Sequence, residues 1–124
     1  LKARAYGSYL LRLVQRGDLG DIELDDGRRT HRWADQDRRF LLLWVLAEAV
    51  QRHGEEPAWV DDETLRVAIW GRRQAEGLSA STLSKLIHDT RVMLGRDGID
   101  GLFIEKRRGR TRLRLAPDAI QLRS

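Results

Sequence analysis

The first third of the chain alternates apolar and polar positions in short runs separated by turn residues. Residues 9–14 are mostly apolar and precede an Arg-Gly-Asp turn signal, and Ile22 and Leu24 alternate with acidic residues. The Asp-Asp-Gly-Arg stretch at 25–28 is typical of a hairpin turn, because glycine adopts a positive φ at little steric cost. With a returning strand over residues 30–33, this pattern predicts a small antiparallel sheet.

The spacing of apolar residues then changes from two to three or four, which is typical of helices. The stripe that predicts a first helix over roughly residues 36–52 consists of Phe40, Leu43, Trp44, Ala47 and Val50. Asp35 or Asp37 is its expected N-cap, and Gly54 its expected C-terminal cap. Asp61 is the expected N-cap of a second helix, which ends at Trp70.

A third helix is predicted to begin at Ser79 or Ser81 and to end near Gly95. One side of it carries Leu83, Leu86, Ile87, Thr90 and Leu94. The opposite side is polar, small or cationic, as a helix that enters a DNA groove requires, and its residues are Ser81, Ser84, Lys85, His88 and Arg91. Any surface helix has a similar solvated face, so this pattern alone does not distinguish a DNA-binding helix from an ordinary surface helix.

The end of the chain returns to a period of two. Thr111, Leu113 and Leu115 alternate with arginines after a Lys-Arg-Arg-Gly turn. This pattern predicts a hairpin with one apolar face and one row of guanidinium groups. Pro117 is expected to end the strand and to begin a C-terminal tail over residues 117–124.

The positive charge is concentrated in this last segment. The formal net charge is +4, but residues 105–124 carry seven cations and two anions, whereas the other 104 residues carry 16 cations and 17 anions. A basic segment on a nearly neutral body is typical of a nucleic-acid contact, and a solubilising tail is the alternative. The basic hairpin residues expected to contact DNA are Lys106, Arg107, Arg108, Arg110 and Arg112.

Four segments in this order resemble the OmpR/PhoB-type winged-helix domain, the DNA-binding half of many bacterial response regulators. They are RRFLLLWVLAEA, VDDETLRVAIWG, IHDTRVMLG and GLFIEKRRGRTRLRL, and with the preceding strands the resemblance covers roughly residues 20–115. It implies an α+β fold, a winged helix-turn-helix with an N-terminal antiparallel sheet, three helices and a C-terminal β-hairpin wing. One structural domain is expected, with strands in 1–34, the winged helix-turn-helix in 35–116 and the tail in 117–124.

The resemblance implies a bacterial transcription regulator that binds double-stranded DNA. Since no signal-peptide pattern opens the chain, a cytoplasmic location is expected. The third helix would lie in the major groove, and the wing would contact phosphates or the minor groove. The loop from Arg72 to Gly77 would contact RNA polymerase, as it does in some members. Asp89 stands where other members often carry Arg, and the wing lacks the family's Gly-Tyr pair. Since a domain this small usually binds weakly alone, we expect a homodimer or an attached regulatory domain.

A winged-helix module that docks onto protein is the alternative. Asp89 and the nearly neutral body favour it, and its interface would involve the first helix or the N-terminal sheet. RNA binding is a further possibility, but the sequence has no exposed aromatic residues at recognisable positions on which bases could stack. The tryptophans lie in or beside the apolar stripes and are expected to be core or core-edge residues: Trp33, Trp44, Trp59 and Trp70.

The sequence predicts neither catalysis nor a metal or cofactor site. His31, His53 and His88 fall on different predicted elements, and no pair has the spacing of a common zinc site. The acidic pairs at 25–26, 55–56 and 61–62 lie at turns or helix starts, where carboxylates cap helices. The chain has no cysteine, no phosphate-cradling glycine motif and no nucleophile elbow. Its longest apolar run is too short to cross a bilayer, so no membrane partner is expected.

Overall fold

A computed structural model describes residues 6–54 and 57–124. The elements within these ranges are β1 Leu10–Arg16, β2 Leu19–Asp25, β3 Thr30–Gln36, α1 Arg38–His53, β4 Val60–Asp61, α2 Asp62–Trp70, α3 Arg72–Ala75, α4 Ala80–Arg96, β5 Ile104–Arg107, β6 Arg110–Leu113 and β7 Ile120–Arg123. Short 3-10 turns at Gly101–Phe103 and Pro117–Ala119 precede β5 and β7. The fold is therefore mixed α+β, as the sequence predicted.

The first sheet has the strand order β3-β2-β1-β7. β1 and β2 pair antiparallel with Leu11 opposite Leu24 and Leu13 opposite Ile22, and all four side chains are buried against the helices. The alternation of apolar and polar residues set this arrangement, because successive side chains of a strand point to opposite faces. The antiparallel strands predicted for this region are confirmed, and the third strand extends to Gln36.

Residues 117–124, predicted as a tail, instead complete the first sheet. Ile120–Arg123 form β7, which pairs parallel to β1 with Ile120 opposite Leu11 and Leu122 opposite Leu13. The buried Ile120 and half-buried Leu122 thus add to the same apolar face. Because this strand has only four residues, its sequence pattern is too short to distinguish it from an unstructured tail.

Helix α1 lies at the centre of the core. Its buried residues occupy more than one narrow stripe, since they include Leu42, Leu46 and Ala49 as well as positions of the predicted stripe. It contacts strands of the first sheet, β6 of the second sheet, α2 and α4. Gly20 in β2 leaves the space that the Phe40 ring fills.

The helix boundaries agree with the capping signals at some ends and differ at others. Asp61 caps α2 as predicted, because its carboxylate accepts a 2.7 Å hydrogen bond from the Thr64 amide. Ser79 precedes α4, but its hydroxyl pairs with the Ser81 and Thr82 hydroxyls and not with a backbone amide. Gly95 does not end α4, which continues to Arg96.

A second, three-stranded sheet carries the basic hairpin and has the order β4-β6-β5. β6 pairs antiparallel with β5 and with the two-residue strand β4, which places Thr111 opposite both Lys106 and Val60. The Asp62 amide also donates a 3.0 Å hydrogen bond to the Gly109 carbonyl. The hairpin is therefore attached along β6 to the start of α2. No helix in the described part of the chain is both long and apolar enough to span a bilayer.

Candidate nucleic-acid interface

Helix α4 presents a polar surface to solvent. The side chains predicted for its outer face are exposed at four of the five positions, which are Ser81, Ser84, Lys85 and His88. The opposite side is buried against the core through Leu83, Ile87, Thr90, Met93 and Leu94. The four exposed residues lie along the N-terminal half of the helix, where small and hydrogen-bonding side chains allow close approach of another surface.

Arg91, the fifth residue predicted for that face, has an internal role. Its Nε donates a 3.1 Å hydrogen bond to the Ile104 carbonyl, and its Nη2 donates to the same oxygen. Its side chain is half-buried. The guanidinium therefore joins α4 to the first residue of β5, and the expectation of a DNA contact from Arg91 is not supported by these contacts.

The close approach at this junction depends on glycine. A Cβ at Gly101 would lie 2.9 Å from the Cα of Arg91, closer than such atoms normally come. The absent side chain lets the 3-10 turn before β5 lie directly against α4. Arg91 and Gly101 consequently hold the C-terminal half of α4 against the turn that precedes β5 and against the first residue of the basic hairpin.

The hairpin carries its arginines on one face. Cross-strand pairs place Glu105 opposite Arg112 and Arg107 opposite Arg110. Because paired residues of adjacent strands share a face of the sheet, these four side chains lie together. We call Arg107, Arg110 and Arg112 the arginine face. The intervening Thr111 and Leu113 are buried on the other side of the hairpin, as the period of two predicted.

The indole of Trp59 lies beneath the arginine face. The guanidinium carbons of Arg110, Arg112 and Arg107 lie 4.4, 4.8 and 6.0 Å from the ring centroid. These distances are within the range of cation–π attraction. The other three tryptophans pack against the hydrophobic core as expected. Sequence reasoning missed the contact of Trp59 with the arginines, because nothing local to residue 59 reveals its neighbours on β5 and β6.

Two carboxylates neutralise part of the hairpin. Glu105 accepts hydrogen bonds of 2.6 Å from Arg112 Nε and 3.1 Å from Arg107 Nε. The bond from Arg112 is the main reason why the pKa of Glu105 is lowered. Lys106 Nζ lies 3.6 Å from an Asp62 carboxylate oxygen. Three of the five hairpin cations predicted to contact DNA thus have an acidic partner within the molecule.

The remaining two hairpin cations, Arg108 and Arg110, are exposed at the turn and at the start of β6. Neither forms an ion pair with the residues described. Arg123, although part of the basic C-terminal segment, lies in β7 opposite Val14 on the first sheet. Arg114 is also exposed, and its guanidinium carbon lies 5.6 Å from the centroid of the Tyr6 ring. Within the hairpin itself, the cations without an acidic partner among the described residues are therefore those at its end.

The stretch between α2 and α4 contains the short helix α3, which was expected to be a loop. Arg72 and Arg73 are exposed on it. Nearby, the guanidinium carbon of Arg38 lies 5.7 Å from the centre of the Trp70 ring. Cations thus also occur at this end of α2, outside the basic C-terminal segment.

The other titratable clusters are structural. His31 is buried, stacks on Trp33 and lies with Nε2 2.8 Å from an Asp26 carboxylate oxygen. Buried Asp21 accepts hydrogen bonds from Arg32, Arg16 and the Asp35 amide. Among residues 6–54 and 57–124 no group of three or more potential ligands could hold a metal ion.

The chain was compared with models of protein families, with curated proteins and with solved structures, and no match was found in any of them.

Proposed function

We propose that the chain is a winged helix-turn-helix domain that binds double-stranded DNA, as part of a cytoplasmic transcription regulator of the OmpR/PhoB type. The order α1, β4, α2, α4, β5, β6 supports this proposal, because a winged helix has three helices followed by a hairpin; the four-residue α3 is additional to that order. Helix α4 packs on α1 and α2 and leaves its polar side exposed, as a recognition helix requires.

The observation that carries the proposal is the attachment of the start of the basic hairpin to α4. Arg91 joins the helix to the Ile104 carbonyl, and Gly101 lets the two segments meet. If α4 lay in the major groove of a duplex, the phosphates closest to the protein would be those on the two edges of that groove. Exposed Arg108 and Arg110 supply positive charge for such phosphates.

Within α4, the residues proposed to reach the major groove are exposed Ser84, Lys85 and His88, with Ser81 one turn earlier. Hydroxyl, ammonium and imidazole groups can all bind base edges or phosphates. Asp89 is half-buried and lies beside this surface, where a carboxylate can accept a hydrogen bond from a cytosine amino group.

Further partners are proposed by the same resemblance. Exposed Arg72 and Arg73 on α3 occupy the segment that contacts RNA polymerase in some OmpR/PhoB-type regulators. A homodimer or an attached regulatory domain would raise the affinity of a single small domain for its site.

The decisive test is binding to a fluorescein-labelled duplex, measured by anisotropy over a series of salt concentrations. We expect the logarithm of the association constant to fall with the logarithm of salt by about 0.9 for each phosphate neutralised. Lys85→Glu should weaken binding strongly. Arg123→Glu is the matched control, because it makes the same charge change on the first sheet. Undetectable binding at low salt, or equal losses in the two variants, would contradict the proposal.

A protein-docking module is the second candidate function. The acidic partners of Lys106, Arg107 and Arg112 favour it, because they reduce the charge offered to a polyanion. Leu10 and Leu102 are also large apolar side chains that are 54% and 59% exposed. If the native protein shows no binding to duplex DNA at low salt, this candidate is supported.

A further inference from the structure

Trp59 occupies a defined place on the outer side of the second sheet. β4 pairs with β6 with Val60 opposite Thr111 and Asp61 opposite Arg110. Continuing this antiparallel register places Trp59 beside Arg112, on the face opposite to buried Val60 and Thr111. The residue directly before β4 is therefore brought under the arginine face by the pairing of β4 with β6.

The indole offsets the repulsion between the arginines of this surface. The guanidinium carbons of three arginines lie within 6.0 Å of the centroid of one ring, and like charges gathered around one side chain repel one another. The π face of tryptophan attracts cations, and a stacked guanidinium keeps its N–H donors at the rim of the stack. Stacking consequently holds Arg110 and Arg112 in place without using the donors that an anion would need.

Glu105 restrains two of the same arginines at a different atom. Its carboxylate accepts hydrogen bonds from Nε of Arg107 and from Nε of Arg112. The terminal Nη atoms of both form no hydrogen bond with the described residues. Each of these guanidiniums is thus held near the ring and hydrogen-bonded to the carboxylate through Nε. Of the two, Arg107 is the more exposed, with 64% of its side-chain surface accessible against 23% for Arg112.

We infer that Trp59 is a positioning residue that holds the arginine face ready for the phosphate backbone of nucleic acid. This inference rests on the proposed function. A side chain that is already ordered loses less conformational entropy on binding, so pre-orientation increases affinity without adding charge. The partner chemistry is the phosphodiester, because a row of stacked guanidiniums offers N–H donors that match phosphate oxygens.

The test compares Trp59→Leu with Trp59→Phe in duplex-binding titrations over several salt concentrations. Leucine is apolar but has no π face, whereas phenylalanine keeps an aromatic ring. We expect Trp59→Leu to weaken binding about three- to tenfold, and Trp59→Phe to stay within about twofold of the native protein. The salt slope should become shallower by about one in the leucine variant, because fewer phosphates are contacted at once.

A packing role would move both variants alike, since either side chain is smaller than indole. Trp33→Leu is the matched control, because Trp33 stacks on His31 in the first sheet, away from the hairpin. If the native protein binds DNA and Trp59→Leu binds it nearly as well, this inference is overturned but the proposed function is not. Absence of binding by the native protein would instead overturn the proposed function.

A second measurement follows the arginines without DNA. NMR relaxation of the arginine Nε–H groups should report restricted motion of Arg110 and Arg112 in the native protein and in Trp59→Phe. We expect increased motion in Trp59→Leu. If the Nε–H groups are equally restricted in all three proteins, the indole does not position the guanidiniums, and the inference is overturned. This measurement needs no DNA, and it applies to Trp59→Leu at any temperature at which that variant is folded.

Discussion

Arg110 lies over Trp59, with its guanidinium carbon 4.4 Å from the ring centroid. Arg112, two residues along the same strand, lies 4.8 Å from that centroid but also donates a 2.6 Å hydrogen bond to Glu105. Arg110 is exposed, whereas the Arg112 side chain retains only 23% of its accessible surface. The two arginines therefore have different roles: Arg112 helps to hold the hairpin together, and Arg110 is available to a partner.

Arg110→Gln and Arg112→Gln should separate binding from stability. We expect Arg110→Gln to weaken duplex binding and to reduce the salt slope by about one, with little change in the melting temperature. Arg112→Gln should lower the melting temperature more, because it removes the shorter of the two bonds to Glu105. Anisotropy titrations and thermal denaturation measure the two effects. A larger stability loss in Arg110→Gln would contradict this assignment.

Glu105→Gln should tighten the binding of duplex DNA. Removing the carboxylate adds one unit of positive charge to the hairpin and releases two Nε donors, while Trp59 still holds the ring-stacked arginines. We expect a gain of affinity at low salt that shrinks as salt increases.

Glu23→Gln is the matched control for this variant, because Glu23 pairs with Arg12 on the outer face of the first sheet. It makes the same charge change away from the hairpin. If the control gains as much affinity as Glu105→Gln, the effect comes from net charge alone and the local argument fails.

Much of the fold was predictable from local pattern. The period of two gave the antiparallel strands and the hairpin, because one face of each is buried. The capping residue Asp61 predicted the start of α2, because its carboxylate satisfies an amide three residues later. These features depend on residues close together in the chain.

The features that sequence reasoning missed are contacts between distant residues. β7 is fixed by pairing with β1, about 110 positions earlier, and its four residues carry too weak a pattern to show this. Arg91 looks like a surface cation on a helix until Ile104 supplies an acceptor. Trp59 looks like a core residue until the register of β4 and β6 brings arginines over it.

The pair formed by Asp26 and His31 should make stability depend on acidic pH. The hydrogen bond from His31, followed by the amides of Arg29 and Arg28, lowers the pKa of Asp26 below its ordinary value of about 4. The ionised form is favoured in the folded state, so its contribution is complete above about pH 5 and is lost as the pH falls through the folded pKa.

We expect Asp26→Asn to be less stable than the native protein at pH 7 and to lose less stability between pH 5 and pH 3. Urea denaturation at several pH values measures this difference. Asp18→Asn, at an exposed position in the β1–β2 turn, is the control and should keep the native pH dependence. Parallel pH curves for the native protein and Asp26→Asn would contradict the prediction.

Arg91→Met and Lys85→Met remove the same charge from α4 but should have opposite consequences. Arg91→Met leaves the Ile104 carbonyl without two donors, and we expect it to cost about 1–3 kcal/mol of stability. Lys85→Met affects an exposed side chain, so it should weaken DNA binding and leave stability within about 0.5 kcal/mol. Denaturation and anisotropy on both proteins test the pair. An Arg91→Met protein of native stability would contradict the junction described above.

Gly20→Ala tests how closely the first sheet packs on α1, and Gly95→Ala in α4 is its control. A Cβ at Gly20 would overlap the Phe40 ring, which is buried and cannot move away freely, so we expect a loss of about 1–3 kcal/mol. At Gly95 nothing lies within 4 Å of the added atom, and the residue is within α4. Since alanine favours a helix over glycine, Gly95→Ala should gain about 0.5–1 kcal/mol. Urea denaturation of both variants measures the difference, and equal stabilities would show that β2 and α1 are not in the contact that this structure gives them.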